Sequence, residues 1–132
     1  AVPLDILQFH GAESPEFCES FNVPFIKVLS MRPGIDFAVL DKQYSAAWAL
    51  LLDTYHPIQA GGTGETFDWQ LWPRDSQTRL ILAGGLTVEN VANAIVQTSP
   101  YGVDVSGGVE DGVKGVKQQQ LVRRFIKEAK NV

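Results

Sequence analysis

One cysteine, Cys18, stands among 132 residues, so no internal disulfide is available and no cysteine-rich metal site can form. The two histidines, His10 and His56, fall among scattered carboxylates at no spacing that metal ligation uses. No apolar run approaches the roughly 18 residues of a membrane span. The stretch from Ala1 to His10 carries Asp5 and no basic flank, so neither a signal peptide nor an anchor is read there, and a cytoplasmic location is expected. Positive charge is in deficit: 11 Lys+Arg against 15 Asp+Glu leave a formal net charge of −4, without blocks of one sign. Nucleic-acid binding driven by phosphate neutralisation is thereby excluded, and a small anionic ligand needs a local site.

What is present is an ordinary globular composition, 45% hydrophobic, 10% aromatic and 20% charged, which rules out disorder and collagen-like repeats. The length is that of one domain, with no linker, low-complexity tract or tandem repeat, so residues 1–132 are read as a single domain.

Apolar runs bounded by turn residues mark five strand candidates: Leu4 to Phe9, Phe25 to Leu29, Trp48 to Leu52, Leu80 to Ala83, and Gly102 to Val105. Their centres, Ile6, Lys27, Leu51, Ile81 and Val103, lie 21, 24, 30 and 22 residues apart. That spacing is too long for hairpins and fits βα units, whose strands are covered on both faces and read as continuous apolar runs. Between them, Ser14 can cap a short helix with Pro15 in its first turn, and Thr87 can cap one in which Val88, Val91, Ala92 and Ile95 recur at helical spacing. A further helix is expected from Asp36 to Tyr44. The last helix is the clearest: Leu121, Val122, Phe125, Ile126 and Ala129 form one stripe, with Arg123, Arg124, Lys127 and Lys130 outside it.

Five βα units fit either a doubly wound sheet of the flavodoxin type, which length alone favours, or part of an eight-stranded βα barrel. Glycine placement favours the barrel. Gly61, Gly62 and Gly64 follow the third strand, Gly84 and Gly85 the fourth, and Gly107 and Gly108 the fifth. Residues without a Cβ let backbone N–H groups approach an oxyanion, and the last two strands of a βα barrel commonly supply such a phosphate clamp. A pair of glycines can also simply make a tight turn.

Polar residues end the same strands. Asp53 closes Ala49-Leu50-Leu51-Leu52, Asp104 lies in Gly102-Val103-Asp104-Val105-Ser106, and His10 follows Leu7-Gln8-Phe9. By alternation Asp53 shares a face with Leu51 and Ala49, and His10 with Gln8 and Ile6, so either set can point into a barrel mouth. A carboxyl group at the end of an apolar strand is desolvated, which can raise its pKa from about 3.9 toward the range of a general acid. Asp53 also suits a turn before Thr54, and His10 a hydrogen-bonded structural histidine. Cys18, between Glu16 and Glu19, reads as a packing residue because nearby carboxylates disfavour a thiolate. Trp48, Trp69 and Trp72 read as packing residues too.

An ordered set of motifs carries a resemblance. Leu7-Gln8-Phe9-His10-Gly11 with Glu13 comes first, then Leu51-Leu52-Asp53, then Gly61-Gly62-Thr63-Gly64 with Phe67-Asp68-Trp69. Leu82-Ala83-Gly84-Gly85-Leu86, Asn90-Val91 and Val103-Asp104-Val105-Ser106-Gly107-Gly108-Val109-Glu110 complete it. In these residues the chain resembles the phosphoribosylanthranilate isomerase family, βα-barrel enzymes of tryptophan biosynthesis. The resemblance implies an incomplete (β/α)8 barrel whose five strands correspond to the fourth to eighth. It also implies an Amadori rearrangement of N-(5-phosphoribosyl)anthranilate to the corresponding 1-deoxyribulose 5-phosphate, without metal or organic cofactor. Asp53 matches the general acid, Gly84, Gly85, Ser106, Gly107 and Gly108 match the phosphate-binding loops, and His10 and Asp104 match residues that contact or position substrate.

Two departures accompany the match. The family's general base is a cysteine on a first strand that has no counterpart here, and Cys18 does not replace it. An arginine that contacts the anthranilate carboxylate in the family has no counterpart either. The expectation is a barrel portion with acid and phosphate clamp but without base, inactive alone and completed by an N-terminal barrel segment or a second copy. A closed barrel has no sheet edges, whereas five of its strands leave two. Gln118, where the family usually has Asp, is expected to weaken the cap of the last helix. Kept open beside this reading are a non-catalytic βα module with a phosphate pocket and another phosphosugar barrel enzyme.

Overall fold

The computed structural model describes residues 2–54 and 69–132. Five strands, β1 (Leu7–Phe9), β2 (Phe25–Met31), β3 (Ala49–Thr54), β4 (Arg79–Ala83) and β5 (Gly102–Val103), form one sheet in the order β1-β2-β3-β4-β5, every neighbouring pair parallel. This sequential order belongs to a βα barrel and differs from the 2-1-3-4-5 order of a flavodoxin-type sheet. The crossovers carry α1 (Pro15–Glu19), α2 (Phe37–Gln43) and α3 (Val91–Thr98), and α4 (Gln119–Lys130) follows β5. Among the described residues no helix is long and apolar enough to cross a membrane.

Alternation along the strands builds two apolar layers. Leu50, Leu52, Leu80 and Leu82 face the helices and pack with Val91, Ala94 and Phe125 into the main core. The intervening residues Val28, Leu51 and Ala83, with Ile26 and Ile81 against them, form a second, smaller cluster on the opposite face. A strand buried on both faces reads as an unbroken apolar run, which is why β3 is recognisable from Ala49-Leu50-Leu51-Leu52.

Helix starts follow their side-chain caps. Ser14 Oγ accepts from Phe17 N at 3.2 Å and Asp36 Oδ1 accepts from Val39 N at 3.3 Å. Gln118 also makes its cap, because the longer side chain still brings Oε1 to 2.7 Å from Leu121 N; the weakened cap expected there is not what the geometry shows. At Thr87 the chain forms a turn before regular helix begins at Val91. Thr87 N donates to Asn90 Oδ1 at 2.8 Å and Thr87 Oγ1 accepts from Glu89 N at 3.2 Å, a reciprocal cap over that turn. Strand ends also differ from expectation. Val2, Leu4 and Ile6 are exposed and unpaired, so β1 starts at Leu7, and β5 stops at Val103 because the chain turns away after Asp104 N donates to Leu82 O. Trp69 and Trp72 are buried, whereas half-buried Trp48 packs edge-on to Tyr101 with the Arg79 guanidinium 4.9 Å from its ring centroid.

One buried charge ties the loop after β1 to the sheet. Lys27, opposite Phe9 and Leu50 in the ladder, is only 2% exposed. An ammonium so placed needs partners, and it donates to the Gly11 carbonyl and to Glu13 Oε2, each at 2.7 Å. Gly11 N donates to the same carboxylate oxygen at 2.8 Å, and Tyr44 Oη donates to the Glu13 carbonyl at 2.7 Å. The hydrogen bond from Lys27 holds the Glu13 carboxyl down at about 2, from an ordinary 4.5. The loop that begins with His10 is thus anchored from beneath.

Leu50 is fully buried in the main core, so Leu50→Ala is expected to destabilise the chain by about 2–5 kcal/mol, read as a lower urea midpoint at unchanged m. Because the folded pKa of Glu13 lies below its unfolded value, its contribution is complete above pH 4.5 and is lost as pH falls toward about 2. Urea midpoints measured down that window are expected to fall more steeply for the unsubstituted chain than for Glu13→Gln, with the two converging at the acid end; parallel curves would contradict the assignment.

Candidate active site

In an all-parallel sheet every strand delivers its carboxyl end to the same edge. Ser30, Asp53 and Ala83 lie abreast there on β2, β3 and β4. Asp53 therefore shares the inner face with Leu51, as the alternation predicts, and stands half-buried at the rim. A cavity of about 510 Å³ opens at this edge, with Val28, Leu51 and Ala83 as its floor. Asp53, Asp104 and His10 line it, and so do Gly84 and Gly85 on one side and Ser106, Gly107 and Gly108 on another. Every candidate site residue named from the sequence meets at this one cavity. Exposed His10 also borders a second cleft of about 500 Å³, walled by Lys27, Ser30, Arg32 and Tyr44. The Gly61-Gly62-Thr63-Gly64 and Phe67-Asp68 motifs, and His56, lie outside the described residues.

The two glycine loops have backbones that side chains would obstruct. Gly84 and Gly85 both adopt left-handed conformations, φ +88° and +64°, which residues with a Cβ take only at a cost. Asn90 fixes this loop from the helix side: its Nδ2 donates to the Gly85 carbonyl at 2.9 Å while its Oδ1 takes the Thr87 N–H. Gly108 is required for another reason. A Cβ there would stand 1.8 Å from the Leu86 carbonyl oxygen, so the loop after β5 lies directly on the loop after β4, backbone against backbone.

Charge is distributed unevenly around the cavity. Asp53 and Asp104 contribute carboxyl groups, and among the described residues no lysine or arginine lines the wall. The cation that reaches the rim is Lys117, whose ammonium donates to Ser106 O and Ser106 Oγ and pairs with Glu110. The hydrogen bond from Lys117 holds the Glu110 carboxyl below the usual carboxylate range. Lys117 is hidden in the sequence because the stretch between it and Glu110 forms bends and turns and no regular element whose period would pair them. Asn90 entered only as part of a motif. Cys18 is fully buried in the core on the helix side of the sheet, away from the cavity, and burial pushes its thiol up. Among the described residues no group of His, Cys, Asp and Glu is placed to hold a metal ion.

The geometry can therefore seat a small anion against backbone N–H groups of two touching loops and present a carboxyl group beside it. Known proteins match the chain over nearly its whole length. Residues 1–128 match the family model described as N-(5'phosphoribosyl)anthranilate (PRA) isomerase. The N-(5'-phosphoribosyl)anthranilate isomerase of Azotobacter vinelandii is 55% identical over 98% of this chain and 63% of its own length. That of Cellvibrio japonicus is 54% identical over 95% of this chain and 58% of its own. The crystal structure of phosphoribosyl anthranilate isomerase from Thermotoga maritima superposes with a TM-score of 0.82 at 39% identity, covering 98% of this chain and 63% of that one. A phosphoribosyl anthranilate isomerase in complex with reduced 1-(o-carboxyphenylamino)-1-deoxyribulose 5-phosphate superposes at 0.79 and 34% identity, over 98% and 61%. The chain spans about three-fifths of the length of these relatives. With the motifs, the sheet order and the paired glycine loops all in place, it belongs to the N-(5'-phosphoribosyl)anthranilate isomerase family.

Proposed function

We propose that these 132 residues form one partial βα-barrel domain that carries the acid and the phosphate grip for an Amadori rearrangement. The substrate is N-(5'-phosphoribosyl)anthranilate and the product 1-(2-carboxyphenylamino)-1-deoxyribulose 5-phosphate, in cytoplasmic tryptophan biosynthesis. The observation that carries the reading is that Asp53 and both glycine loops line one cavity of about 510 Å³. The family match favours this substrate over those of other phosphosugar barrels.

The steps follow from what each group can do. Backbone N–H groups of Gly84, Gly85, Ser106, Gly107 and Gly108 take the phosphate oxygens, which fixes the sugar relative to the rim of β3. Asp53, in its acid form, gives its proton to the ribose ring oxygen. The bond from that oxygen to the anomeric carbon breaks, and the anilino nitrogen supplies the electron pair that forms the Schiff base. Removal of a proton from the second carbon then gives an enolamine, which tautomerises to the ketone. His10 and Asp104 border the sugar and position it. No metal or organic cofactor enters these steps.

The base is a separate matter. Cys18 cannot serve, since it is enclosed on the helix side of the sheet. We place the base in the part of the relatives' length that these residues do not span. The same part supplies strands beyond β1 and β5, whose outer edges lack a neighbouring strand among the described residues. An N-terminal barrel segment is the natural partner, and a second copy exchanging strands is the other way to cover those edges.

Two arms test the reading. The 132-residue chain alone is expected to show no turnover of N-(5'-phosphoribosyl)anthranilate, and adding the N-terminal barrel segment is expected to produce it. In that assembled enzyme Asp53→Asn is expected to lower kcat by about 10²–10⁴-fold, with inorganic phosphate binding unchanged in calorimetry. Turnover by the chain alone would overturn the missing-base reading, and an active Asp53→Asn enzyme would remove Asp53 as the acid.

A further inference from the structure

Lys117 lies outside the cavity wall yet holds one of the residues that form it. Its ammonium donates to the Ser106 carbonyl and to Ser106 Oγ, each at 3.1 Å, and to Glu110 Oε1 at 2.5 Å. A lysine ammonium has three N–H donors, so this set occupies all of them and leaves none for a ligand. The consequence falls on Ser106, which lines the cavity. A hydroxyl oxygen that accepts from a cation keeps its own proton to donate, and that proton must point away from the ammonium. The cavity needs such a donor, since among the described residues its wall carries the carboxyl groups of Asp53 and Asp104 and no lysine or arginine.

We propose that Lys117 is a positioning residue for the substrate phosphate and acts through Ser106. It fixes Oγ as an acceptor, so that the hydroxyl proton is offered to a phosphate oxygen in a charge-assisted hydrogen bond. The inference rests on the phosphate-grip reading of the glycine loops. A purely structural tie between Lys117 and Glu110 is the competing account. Against it, the backbone closes this loop without the Glu110 side chain: Glu110 and Lys117 pair in an antiparallel bridge, and Gln118 N donates to Val109 O at 2.8 Å.

The test is calorimetric titration with inorganic phosphate at low ionic strength, made on the 132-residue chain and its variants each assembled with the N-terminal barrel segment, with folding checked by circular dichroism. Lys117→Gln and Ser106→Ala are each expected to raise Kd about tenfold, and Lys117→Arg to restore most of the loss. The double variant is expected to bind no more weakly than Ser106→Ala alone, because both changes remove the same bond. Glu110→Gln, which leaves Lys117 charged and relieves it of a competitor, is expected to bind as tightly as the unsubstituted chain or more so. The inference is overturned if Lys117→Gln binds normally, if the double loss is additive, or if Glu110→Gln loses as much as Lys117→Gln. Should Lys117→Gln fail to fold, Glu110→Gln decides alone: retained affinity supports the path through Ser106 and a tenfold loss refutes it. Absence of phosphate binding in the unsubstituted chain would refute the grip itself and the inference with it, an outcome distinct from normal binding by Lys117→Gln.

Discussion

A parallel ladder in fixed register governs both the core and the site. Asp53 sits level with Ser30 and Ala83, one residue beyond Leu52, which pairs with Leu29 and Leu82. A slip of one residue would turn every side chain of β3 to the opposite face. Leu50 and Leu52 would leave the helix layer for the inner face, and Asp53 would be driven beneath the helices. Both consequences are costly, so the leucines that build the main core also hold the carboxyl group toward the cavity. Core packing and placement of the Asp53 carboxyl group are one constraint.

The backbone supplies a second constraint where side chains are absent. Gly108 lies so closely on the Leu86 carbonyl that the loops after β4 and β5 are in direct backbone contact. Gly84 and Gly85 hold left-handed conformations within the first of these loops, and Asn90 bonds it to the start of α3. Two loops that each read as a tight turn in isolation thus form one continuous backbone wall of the cavity. That surface suits a tetrahedral anion, whose oxygens point several ways at once.

Much of this was legible before any coordinate. Apolar runs mark β2, β3 and β4, broken in β2 by Lys27, because sheets covered on both faces leave little room for polar alternation. Glycine and aspartate at the ends of those runs mark the edge where the site forms. The short strands were read less well: Leu4 and Ile6 continue the apolar run of β1 but lie exposed and unpaired, and Val105 follows β5 after the chain has already turned. Lys27 in the middle of an apolar run gave no hint of its partner, since Glu13 lies across a crossover. The bonds from Lys117 to Ser106 and Glu110 were equally hidden, because they close a loop that has no repeating geometry. Pattern reading finds what periodicity organises, and polar bonds between loops lack it.

Those polar bonds fall where the ladder is shortest. β2 and β3 pair over six residues, but β1 pairs over three and β5 over two. Site residues nevertheless hang from the short strands, His10 just beyond β1 and Ser106 to Gly108 just beyond β5. Few ladder hydrogen bonds hold such strands, so pairing alone fixes their ends weakly. Each has its own brace. Buried Lys27 draws Gly11 and Glu13 down onto the sheet, and on the other side Lys117 and the Gly108 contact hold the loop after β5. Asp53 is itself part of β3, with four registered residues, Ala49 to Leu52, behind it, and needs no such tie. Rigidity at the rim therefore has two sources, backbone pairing in the middle and buried or saturated lysines at the margins. A substitution at either lysine reaches the site without touching the cavity wall.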